Sequence, residues 1–329
     1  MEYRQMGNSD LRVSAVTMGC WAIAGDWVWG PQDENEALAA LHEAVECGIN
    51  SFDTAEGYGN GDSERLVGRG LAAVRHKVVI ATKIPSAYLR AADVRAHCEA
   101  SLQRLGSDYI DIYYVHWPNW EIPFAETAEA LERLKTEGKI RHIGCSNFGV
   151  RDLTDWLAHT RSDINQLAYN LLFRSIEHEI LPACVQHNVG VACYSPLMEG
   201  LLTGKFATAD DVPAGRARTR QYAGSRPLTR HGEAGAETQT FAAIAEIRRI
   251  CAAAGAPMAQ ASLAWLLAQR GISTVIAGAR SPAQVRQNAA AGSLRLPPDV
   301  LAALTQATEP LQAALGPNAD MWQAPSRIR

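Results

Sequence analysis

Long hydrophobic runs are absent from this chain of 329 residues. Nowhere do about eighteen apolar residues follow one another, which is the length that a membrane-spanning helix needs. The sequence also shows no charged and then apolar leader before Tyr3, the pattern that directs export. These two absences predict a cytoplasmic protein that has no membrane partner.

A concentration of charge of one sign is also missing. The chain has 31 lysines and arginines against 35 aspartates and glutamates, with a formal net charge of -4, and the two signs are interspersed. A nucleic-acid-binding protein needs a basic patch or stripe that contacts phosphates. The composition therefore argues against nucleic acid as a partner.

Paired cysteine motifs do not occur. The seven cysteines are an odd number, show no C-x-x-C spacing and mostly lie inside apolar runs. Such residues are typical of reduced core thiols in a reducing compartment. They are Cys20, Cys47, Cys98, Cys145, Cys184, Cys193 and Cys251.

Short motifs for nucleotides and for catalytic zinc are missing too. The run from Gly57 to Asp62 begins like the dinucleotide fingerprint G-x-G-x-x-G, but its sixth residue is an aspartate. Neither a P-loop nor an H-E-x-x-H pattern occurs. We therefore predict no metal site, and no local motif marks a dinucleotide site.

What the sequence does contain is a repeated alternation of short apolar segments with amphipathic stretches. Glu34–Cys47 and Ala92–Leu105 show the three- and four-residue spacing of helices, and Gly106 is a typical helix end. The apolar segments lack polar alternation, as expected of strands buried on both faces. Repeated βα units predict a parallel sheet, and one α/β barrel domain accommodates all of residues 1–329. The eight predicted strands are 15–19, 50–53, 78–82, 110–115, 140–144, 163–167, 190–194 and 273–277.

Some stretches depart from this repeat. Met1–Ser14 is predicted to form a β-hairpin around a polar turn that contains glycine. Phe206–Glu237 has scarcely any hydrophobic period, which is typical of a lid or a disordered segment. Two helical patterns, Thr238–Ala254 and Pro257–Gln269, precede the last strand, one more than the repeat needs. The tail Ala313–Arg329 is irregular, and we expect it to pack near the barrel mouth or on a neighbouring subunit.

Polar residues end three successive predicted strands, namely Asp53, Lys83 and His116. In an α/β barrel, the carboxyl ends of the strands carry the chemistry. Tyr58 follows Asp53 in a glycine-rich loop that would reach over the same mouth. The structural alternative is that Asp53 is a helix cap or a loop acid and that Tyr58 packs on the surface.

Seven short motifs occur in order along most of the chain: Asp53-Thr54-Ala55-Glu56-Gly57-Tyr58-Gly59, Ala81-Thr82-Lys83, Val115-His116-Trp117-Pro118, Gly144-Cys145-Ser146-Asn147-Phe148, Asn165-Gln166, Tyr194-Ser195-Pro196-Leu197 and Gly278-Ala279-Arg280. With these motifs, the chain resembles the aldo-keto reductases nearly end to end. This resemblance implies a TIM (β/α)8 barrel with an N-terminal β-hairpin and extra helices outside the barrel. The long loops and the segment Gly200–Lys205 are more similar to the larger bacterial stress and sugar-handling branches than to the mammalian aldose reductases.

Four residues fit the chemistry of carbonyl reduction. The reaction needs a hydride, which a nicotinamide supplies, and a proton donor at the carbonyl oxygen. A phenol is a weak acid, so we expect the ammonium of Lys83 to lower the pKa of Tyr58. Asp53 would keep Lys83 charged, and His116 would orient the carbonyl by a hydrogen bond. The resemblance implies the same catalytic roles.

The contacts to the cofactor follow from the resemblance alone. It implies that Tyr194 stacks on the nicotinamide ring and that Ser146, Asn147 and Gln166 hold its amide. The implied pyrophosphate contacts are Ser195, Leu197, Gly200, Leu202 and Lys205. The implied adenosine contacts are Gly278, Ala279, Arg280, Gln284 and Asn288.

Arg280 favours NADP(H) as the cofactor, because a guanidinium can neutralise a ribose 2′-phosphate. Gln284 stands where many NADPH-preferring members carry a second arginine, so NAD(H) remains an alternative. The structural reading of this region is an ordinary first helical turn with Ser281 as N-cap and Pro282 at the first position. Both readings are compatible, since a helix N-terminus also binds anions.

Tryptophans near the predicted strand ends suggest a pocket with apolar walls. Trp21, Trp29 and Trp117 are the candidate substrate-pocket residues, and Trp120 is expected beside them. Core packing is the alternative for each of them. We expect selectivity to come from Trp29, Trp117, the Phe206–Glu237 loop and the tail.

Three functions stay open on sequence alone. The first is an NAD(P)H-dependent reductase of an aldehyde or ketone, with a simple aldehyde or a sugar-derived carbonyl compound as the small-molecule partner. The second is a polyol or sugar dehydrogenase that works in the oxidative direction. The third is a nicotinamide sensor similar to the regulatory subunits of membrane channels that keep the same four residues.

Overall fold

Eight parallel strands close into a barrel in the computed structural model, which describes residues 1–329. The barrel strands are β3 (Val16–Gly19), β4 (Ser51–Asp53), β5 (Val79–Ile84), β6 (Ile110–Val115), β7 (Ile140–Ser146), β8 (Ile164–Ala168), β9 (Gly190–Tyr194) and β10 (Ile272–Gly278). Each strand pairs with the next in chain order, and β10 pairs with β3 to complete the ring. The TIM barrel expected from the sequence is therefore confirmed.

The strands lie where the apolar segments predicted them, with small shifts at their ends. β5 and β6 are buried along their whole length, which explains why their sequences show no polar alternation. The strands β5 and β7 extend beyond their predicted ends to Ile84 and Ser146. Lys83 therefore lies inside β5, paired with Tyr114 of β6, instead of following the strand. A lysine is tolerated there because it has a charged partner, which is described below.

A two-stranded hairpin closes the amino-terminal end of the barrel, as predicted. Its strands are β1 (Tyr3–Gln5) and β2 (Arg12–Ser14), and they pair antiparallel. Met6 and Val13 belong to a small apolar cluster with inward residues of the barrel strands, including Val79, Ile112 and Ile276. The hairpin thus covers the end of the barrel opposite to the polar strand ends.

Helices surround the barrel. They are α1 (Glu34–Glu46), α2 (Asp62–Leu71), α3 (Ala91–Leu105), α4 (Phe124–Thr136), α5 (Val150–Leu157), α6 (Ile180–Gln186), α7 (Glu237–Ala253), α8 (Met258–Leu267), α9 (Pro282–Ala291), α10 (Pro298–Ala307) and α11 (Glu309–Leu315). Asp33 caps α1 by accepting the backbone N–H of Glu36, and Gly106 ends α3 with a φ of 58°. The two helices predicted before the last strand are α7 and α8.

Helices α10 and α11 follow α9 and were not predicted from the sequence. The tail was expected to be irregular from Ala313, but α11 continues to Leu315. Both helices carry proline in their first turn, where the missing N–H costs nothing, and they bury Leu304, Leu311 and Leu315. No element was predicted for the stretch that forms α10, and the predicted start of the irregular tail at Ala313 lies inside α11.

None of the single helices has the length and apolar composition that a membrane crossing requires. Only α7 and α8 taken together meet this criterion, and they are bent by 94° with respect to each other.

The loop expected over Phe206–Glu237 is present and is tied to the tail. It contains one short 3-10 turn, Ala209–Asp211, and otherwise irregular backbone. Arg220 is buried and donates hydrogen bonds to Glu233 and to the carbonyl oxygens of Leu315 and Asn318. The loop and the tail therefore form one cover beside the barrel mouth.

The tail packs at the mouth, which was the first of its two predicted locations. Its last residue, Arg329, pairs with Asp152 at a distance of 2.9 Å, and its carbonyl oxygen accepts the N–H groups of Arg151 and Asp152 in the first turn of α5. These contacts use free N–H groups at a helix start. They hold the preceding tail residues across the opening.

Candidate active site

A cavity of about 890 Å³ opens at the carboxyl ends of the barrel strands. Its wall includes residues at the ends of six strands, together with the loop and the tail. Most of the predicted site residues line it: Trp21, Trp29, Asp53, Tyr58, His116, Trp117, Ser146, Asn147, Gln166, Tyr194, Ser195, Leu197, Gly200, Lys205, Gly278, Arg280, Gln284 and Asn288. The exceptions are Lys83, Leu202 and Ala279, which are buried behind the wall.

Asp53 and Lys83 form a buried ion pair under the cavity floor. The Lys83 Nζ lies 2.6 Å from Asp53 Oδ1 and also donates to the carbonyl oxygen of Thr54 at 2.8 Å. The other carboxylate oxygen of Asp53 accepts a hydrogen bond of 2.7 Å from Gln166 Nε2. Burial opposes the charge on Lys83, but Asp53 and Tyr58 outweigh it and raise the pKa of the ammonium. Lys83 is therefore a fixed cation with satisfied partners.

Tyr58 lies above this pair, in a 3-10 turn that spans Tyr58–Gly61. Its hydroxyl oxygen is 3.5 Å from Lys83 Nζ. Burial raises the pKa of the phenol, while the charge of Lys83 acts in the opposite direction. Lys83 therefore acts in the predicted direction, but burial exceeds its effect, so the pKa of the phenol is raised instead of lowered. The phenol stays protonated across the neutral pH range.

His116 follows β6 and faces the edge of the Tyr58 ring, with the ring centroids 6.3 Å apart. Burial, together with the charges of Lys83 and Arg327, lowers the pKa of His116 to about 3. A neutral imidazole can donate one hydrogen bond without adding a charge. His116 and Tyr58 thus present neutral donors at one end of the cavity.

Polar residues after β7 and in β8 continue this network. The hydroxyl of Tyr194 donates to Asn147 Oδ1 at 3.0 Å, and Asn147 Nδ2 donates to the carbonyl oxygen of His116 at 3.1 Å. Ser146 Oγ donates to the carbonyl oxygen of Gln166 at 3.0 Å. Asn147 adopts a φ of 63°, which asparagine tolerates better than most residues. The side chains predicted to hold a nicotinamide are therefore fixed by each other and by the backbone.

The segment after β9 has a different character. Glu199 and Gly200 have positive φ values of 51° and 95°, so the backbone turns sharply along the cavity wall. The Glu199 carboxyl is buried and accepts a hydrogen bond from Ser195 Oγ, but its second oxygen has no donor. Nε of Arg216 is likewise buried without an acceptor, and neither Arg216 nor Lys205 pairs with a carboxylate. This part of the wall lacks partners for its polar atoms.

The junction of β10 and α9 forms the far end of the cavity. Ser281 caps α9, and Asn288 Nδ2 donates to the carbonyl oxygen of Gly278 at 3.1 Å. The predicted N-cap is therefore correct. Gln284 accepts the backbone N–H of Arg280 at 2.8 Å. The guanidinium of Arg280 points toward the chain segment that contains Trp29.

Three of the four tryptophans that were predicted beside the pocket lie on the cavity wall. Trp21 stacks on Tyr58 with a centroid distance of 5.7 Å, and Trp29 meets Trp21 edge-on at 5.5 Å. Trp117 lies under the Arg327 guanidinium, 3.7 Å from its ring centroid. Trp120 was expected beside them, but this prediction is wrong. Its side chain points away, is 47% exposed and donates to Asp152 at 2.9 Å.

Sequence reasoning missed several residues of the wall. Arg218 stands between Trp27 and Trp322, 5.2 and 4.4 Å from their ring centroids. Arg327 is paired with the fully buried Asp320 at 2.7 Å. These residues come from the loop and the tail, which the sequence marked as regions that set selectivity. Their irregular backbone gave no period from which individual side chains could be placed.

The residues on the wall fit a nicotinamide dinucleotide. Lys205 and Arg216 are cations without carboxylate partners, which suits a pyrophosphate. The free oxygen of the Glu199 carboxyl is an acceptor that suits a ribose hydroxyl. The cavity therefore offers one end with neutral donors and another with unpaired charges, along a volume that accommodates an extended ligand.

Comparison with known proteins gives one consistent family. A model described as the Aldo/keto reductase family matches residues 15–309. The NADH-specific methylglyoxal reductase of Escherichia coli (strain K12) is 35% identical over 314 residues, which cover 88% of this chain and 93% of that protein.

Solved structures agree. The glycerol dehydrogenase of Gluconobacter oxydans superposes with a TM-score of 0.80 at 30% identity, covering 96% of each chain. An aldo-keto reductase from Klebsiella pneumoniae in complex with NADPH gives a TM-score of 0.72 at 31% identity, covering 93% of this chain and 95% of that one.

Proposed function

Because the chain belongs to the aldo/keto reductase family, we propose that it reduces an aldehyde or ketone to the alcohol in this cavity. Tyr58 is the proton donor, and residues 1–329 work as one domain. The observation that supports this role most directly is the position of the Tyr58 hydroxyl, which is 3.5 Å from the buried ammonium of Lys83.

A bound nicotinamide supplies the hydride that reaches the carbonyl carbon. The carbonyl oxygen takes the proton of the Tyr58 hydroxyl as its charge develops. The phenolate that remains is stabilised by Lys83, and Tyr58 regains a proton from water. Lys83 cannot take over as the acid, because its ion pair with Asp53 raises the pKa of the ammonium.

Gln166 extends this arrangement on the opposite side of Asp53. Its amide nitrogen donates to Asp53 at 2.7 Å, so both oxygens of the carboxylate have a donor. The carboxylate thus keeps one orientation, and Lys83 keeps its position under Tyr58. Positioning of this kind reduces the reorganisation that proton transfer requires.

His116 orients the carbonyl. Since its pKa is lowered to about 3, the imidazole is neutral at working pH and donates a single hydrogen bond to the carbonyl oxygen. It does not compete with Tyr58 as an acid. We propose that its contribution is orientation of the substrate between Trp21 and Trp117.

The residues along the wall would hold the dinucleotide. Tyr194, Ser146, Asn147 and Gln166 would hold the nicotinamide. Lys205 and Arg216 would hold the pyrophosphate, and the junction of β10 and α9 would hold the adenosine. Two of the predicted cofactor contacts, Leu202 and Ala279, do not line the cavity. They are buried behind its wall and support it.

NADPH is the cofactor that the arginine at position 280 favours, because a cation at a helix start pairs well with a 2′-phosphate. The Klebsiella pneumoniae relative was solved with NADPH. NADH is the alternative, supported by the relative whose name describes it as NADH-specific.

The substrate is a small carbonyl compound. Three tryptophans narrow the neutral end of the cavity, and Tyr58 and His116 are the donors between them. Methylglyoxal is the first candidate, because the Escherichia coli relative is named for it. Oxidation of a polyol is the second candidate, because the Gluconobacter oxydans structure is that of a glycerol dehydrogenase.

The experiment begins with fluorescence titration of the protein with NADPH and NADH. Absorbance assays then follow coenzyme oxidation with methylglyoxal and a set of aldehydes and sugars, and coenzyme reduction with glycerol. Coenzyme binding with carbonyl turnover is the expected result. Coenzyme binding with turnover of glycerol alone would support the second candidate, and coenzyme binding without turnover would contradict both.

A further inference from the structure

The guanidinium of Arg280 makes contacts that a phosphate-binding residue does not need. Its Nε donates to Gln32 Oε1 at 2.6 Å, and Nη1 donates to the carbonyl oxygen of Trp29 at 2.7 Å. Nη2 donates to the carbonyl oxygen of Pro31. All three nitrogen atoms therefore hold one stretch of chain, residues 26–32, which we call the wall segment.

Gln32 also donates a hydrogen bond to Arg280. Its Nε2 donates to the carbonyl oxygen of Arg280 at 3.1 Å, so the two residues are joined in both directions. No carboxylate pairs with Arg280, and Gln284 contacts only its backbone. The guanidinium is thus held by neutral acceptors, which a phosphate can replace at lower cost than it can replace a carboxylate.

The wall segment has its own internal support. Asp26 Oδ1 accepts the N–H groups of Val28 and Trp29 at 2.8 and 2.9 Å, and the Gly30 N–H binds the Asp26 carbonyl oxygen at 2.7 Å. The segment is therefore a small stiff unit. Arg280 fixes that unit to the junction of β10 and α9.

The wall segment is also connected to Tyr58 through Trp21. Trp21 donates its indole N–H to Asp26 Oδ2 at 2.9 Å, and its ring stacks on Tyr58. Trp29 packs edge-on against Trp21. The contacts of Arg280 at the adenosine end thus extend, through a stiff segment and two indoles, to the wall at which a carbonyl would be reduced.

We propose that Arg280 is a positioning residue for the substrate wall and that a 2′-phosphate competes with the wall segment for its guanidinium. This inference rests on the proposed function, which places the adenosine end beside Arg280. NADH, which has no 2′-phosphate, leaves all three contacts to the segment in place. NADPH draws the guanidinium away from Gln32, Trp29 and Pro31 and loosens Trp29.

Gln32→Leu is the first variant, because it removes a neutral acceptor of Arg280 without changing any charge. We therefore expect the Kd for NADPH to fall by about threefold or more, because Arg280 is freed for the 2′-phosphate. The Kd for NADH should stay the same.

The same variant should loosen the wall. With NADH, the KM for methylglyoxal should rise about threefold or more while kcat changes less, because Trp29 is less well held. A residue with only a structural role would weaken both coenzymes together, or neither. A lower Kd for NADPH together with a higher KM for methylglyoxal would indicate that the 2′-phosphate and the wall segment compete for Arg280.

Arg280→Lys is the second variant. An ammonium keeps the charge for a phosphate but cannot donate to three separate acceptors in the plane of a guanidinium. We expect the preference for NADPH to be kept and the KM for methylglyoxal with NADH to rise. If Gln32→Leu does not fold, Arg280→Lys still separates the role of Arg280 in binding the 2′-phosphate from its role in holding the wall segment.

Gln306→Leu is the matched control, since Gln306 is exposed on α10 and its side chain makes no hydrogen bond. Coenzyme Kd values are measured by fluorescence on the protein alone, so they do not depend on turnover. Equal NADPH affinity in Gln32→Leu and wild type, or a KM with NADH that neither variant changes, would overturn the inference. Absence of turnover on any carbonyl would contradict the proposed function. The comparison of coenzyme Kd values would still test whether Gln32 and the 2′-phosphate compete for Arg280.

Discussion

The two ends of the cavity differ in how well their polar groups are satisfied. At the Tyr58 end, Asp53 has a donor at each carboxylate oxygen, and Lys83 is held by three oxygens. At the other end, the Glu199 carboxyl and the Arg216 guanidinium each leave a buried atom without a partner. Unsatisfied buried groups are costly, so natural proteins keep them mainly where a ligand or water completes them.

The fold by itself therefore positions the polar groups at the Tyr58 end, whereas polar groups at the other end lack partners within the protein. At the Tyr58 end, the charges of Asp53 and Lys83 already neutralise each other. Removal of either partner should therefore lower the stability of the protein as well as its activity. The other end, at Lys205 and Arg216, carries charges without carboxylate partners, which a bound anion would neutralise. Changes there should affect affinity much more than stability, and the following predictions separate the two.

Lys83→Met should have the largest effect. It leaves the Asp53 carboxylate buried and unpaired, which typically costs about 3–5 kcal/mol of folding free energy. Carbonyl turnover should fall by about 10²-fold or more, because the phenolate of Tyr58 loses its cation. Urea unfolding and initial rates measure the two effects.

The double variant Asp53→Asn/Lys83→Met is the control for this prediction. Removing both charges should recover most of the stability, but the turnover should remain low. Recovery of turnover in the double variant would show that Lys83 acts only through stability.

Lys205→Ala should have a smaller and different effect. Lys205 has no carboxylate partner, and both burial and the charge of Arg216 lower the pKa of its ammonium. Its removal should therefore leave unfolding free energy within about 0.5 kcal/mol of wild type. The Kd for either coenzyme should rise about tenfold, because a charge-assisted contact to the pyrophosphate is lost. A loss of stability equal to that of Lys83→Met would remove the distinction between the two ends.

Titration of His116 tests the neutral end directly. Burial lowers its pKa to about 3, so between the unfolded value near 6.5 and this folded value only the unfolded chain takes up the proton. The contribution of His116 to stability therefore decreases as pH falls through this window. Nuclear magnetic resonance of the histidine ring protons should show His116 untitrated above about pH 5. A midpoint near the ordinary value would contradict its role as a neutral donor.

Substitution of Trp120 should have the smallest effect. Trp120 lies outside the cavity, whereas Trp117 lines it. Trp120→Phe should leave the KM for methylglyoxal unchanged within about twofold, while Trp117→Ala should raise it several-fold. Steady-state kinetics on the two variants make this comparison, and equal effects would mean that the wall extends further than the structure shows.

The sequence predicted the barrel because its strands are short, mostly buried and separated by amphipathic helices. The strand ends at Asp53 and His116 were placed correctly because carboxyl ends of parallel strands meet at one face. The end of β5 was predicted two residues too early, at Thr82 instead of Ile84, since pattern alone does not reveal that a buried lysine can continue a strand when a carboxylate faces it.

Other parts depended on contacts that no local pattern expresses. Trp120 was grouped with Trp117 because they are near in sequence, but Asp152 holds its indole outside the mouth. The pKa of Tyr58 was expected to fall because Lys83 was recognised, whereas the opposing burial depends on Trp21 and the surrounding wall. Arg218 and Arg327 lie in irregular chain, so only the fold shows that they reach the cavity.

The most direct measurement of the central claim compares Tyr58→Phe with wild type in a methylglyoxal assay, with coenzyme Kd determined on the same samples. Phenylalanine keeps the ring that stacks on Trp21 and removes only the hydroxyl. Tyr58 as proton donor predicts a kcat reduced by about 10²-fold or more with coenzyme affinity nearly intact. A variant that keeps more than about a tenth of wild-type kcat would contradict that role.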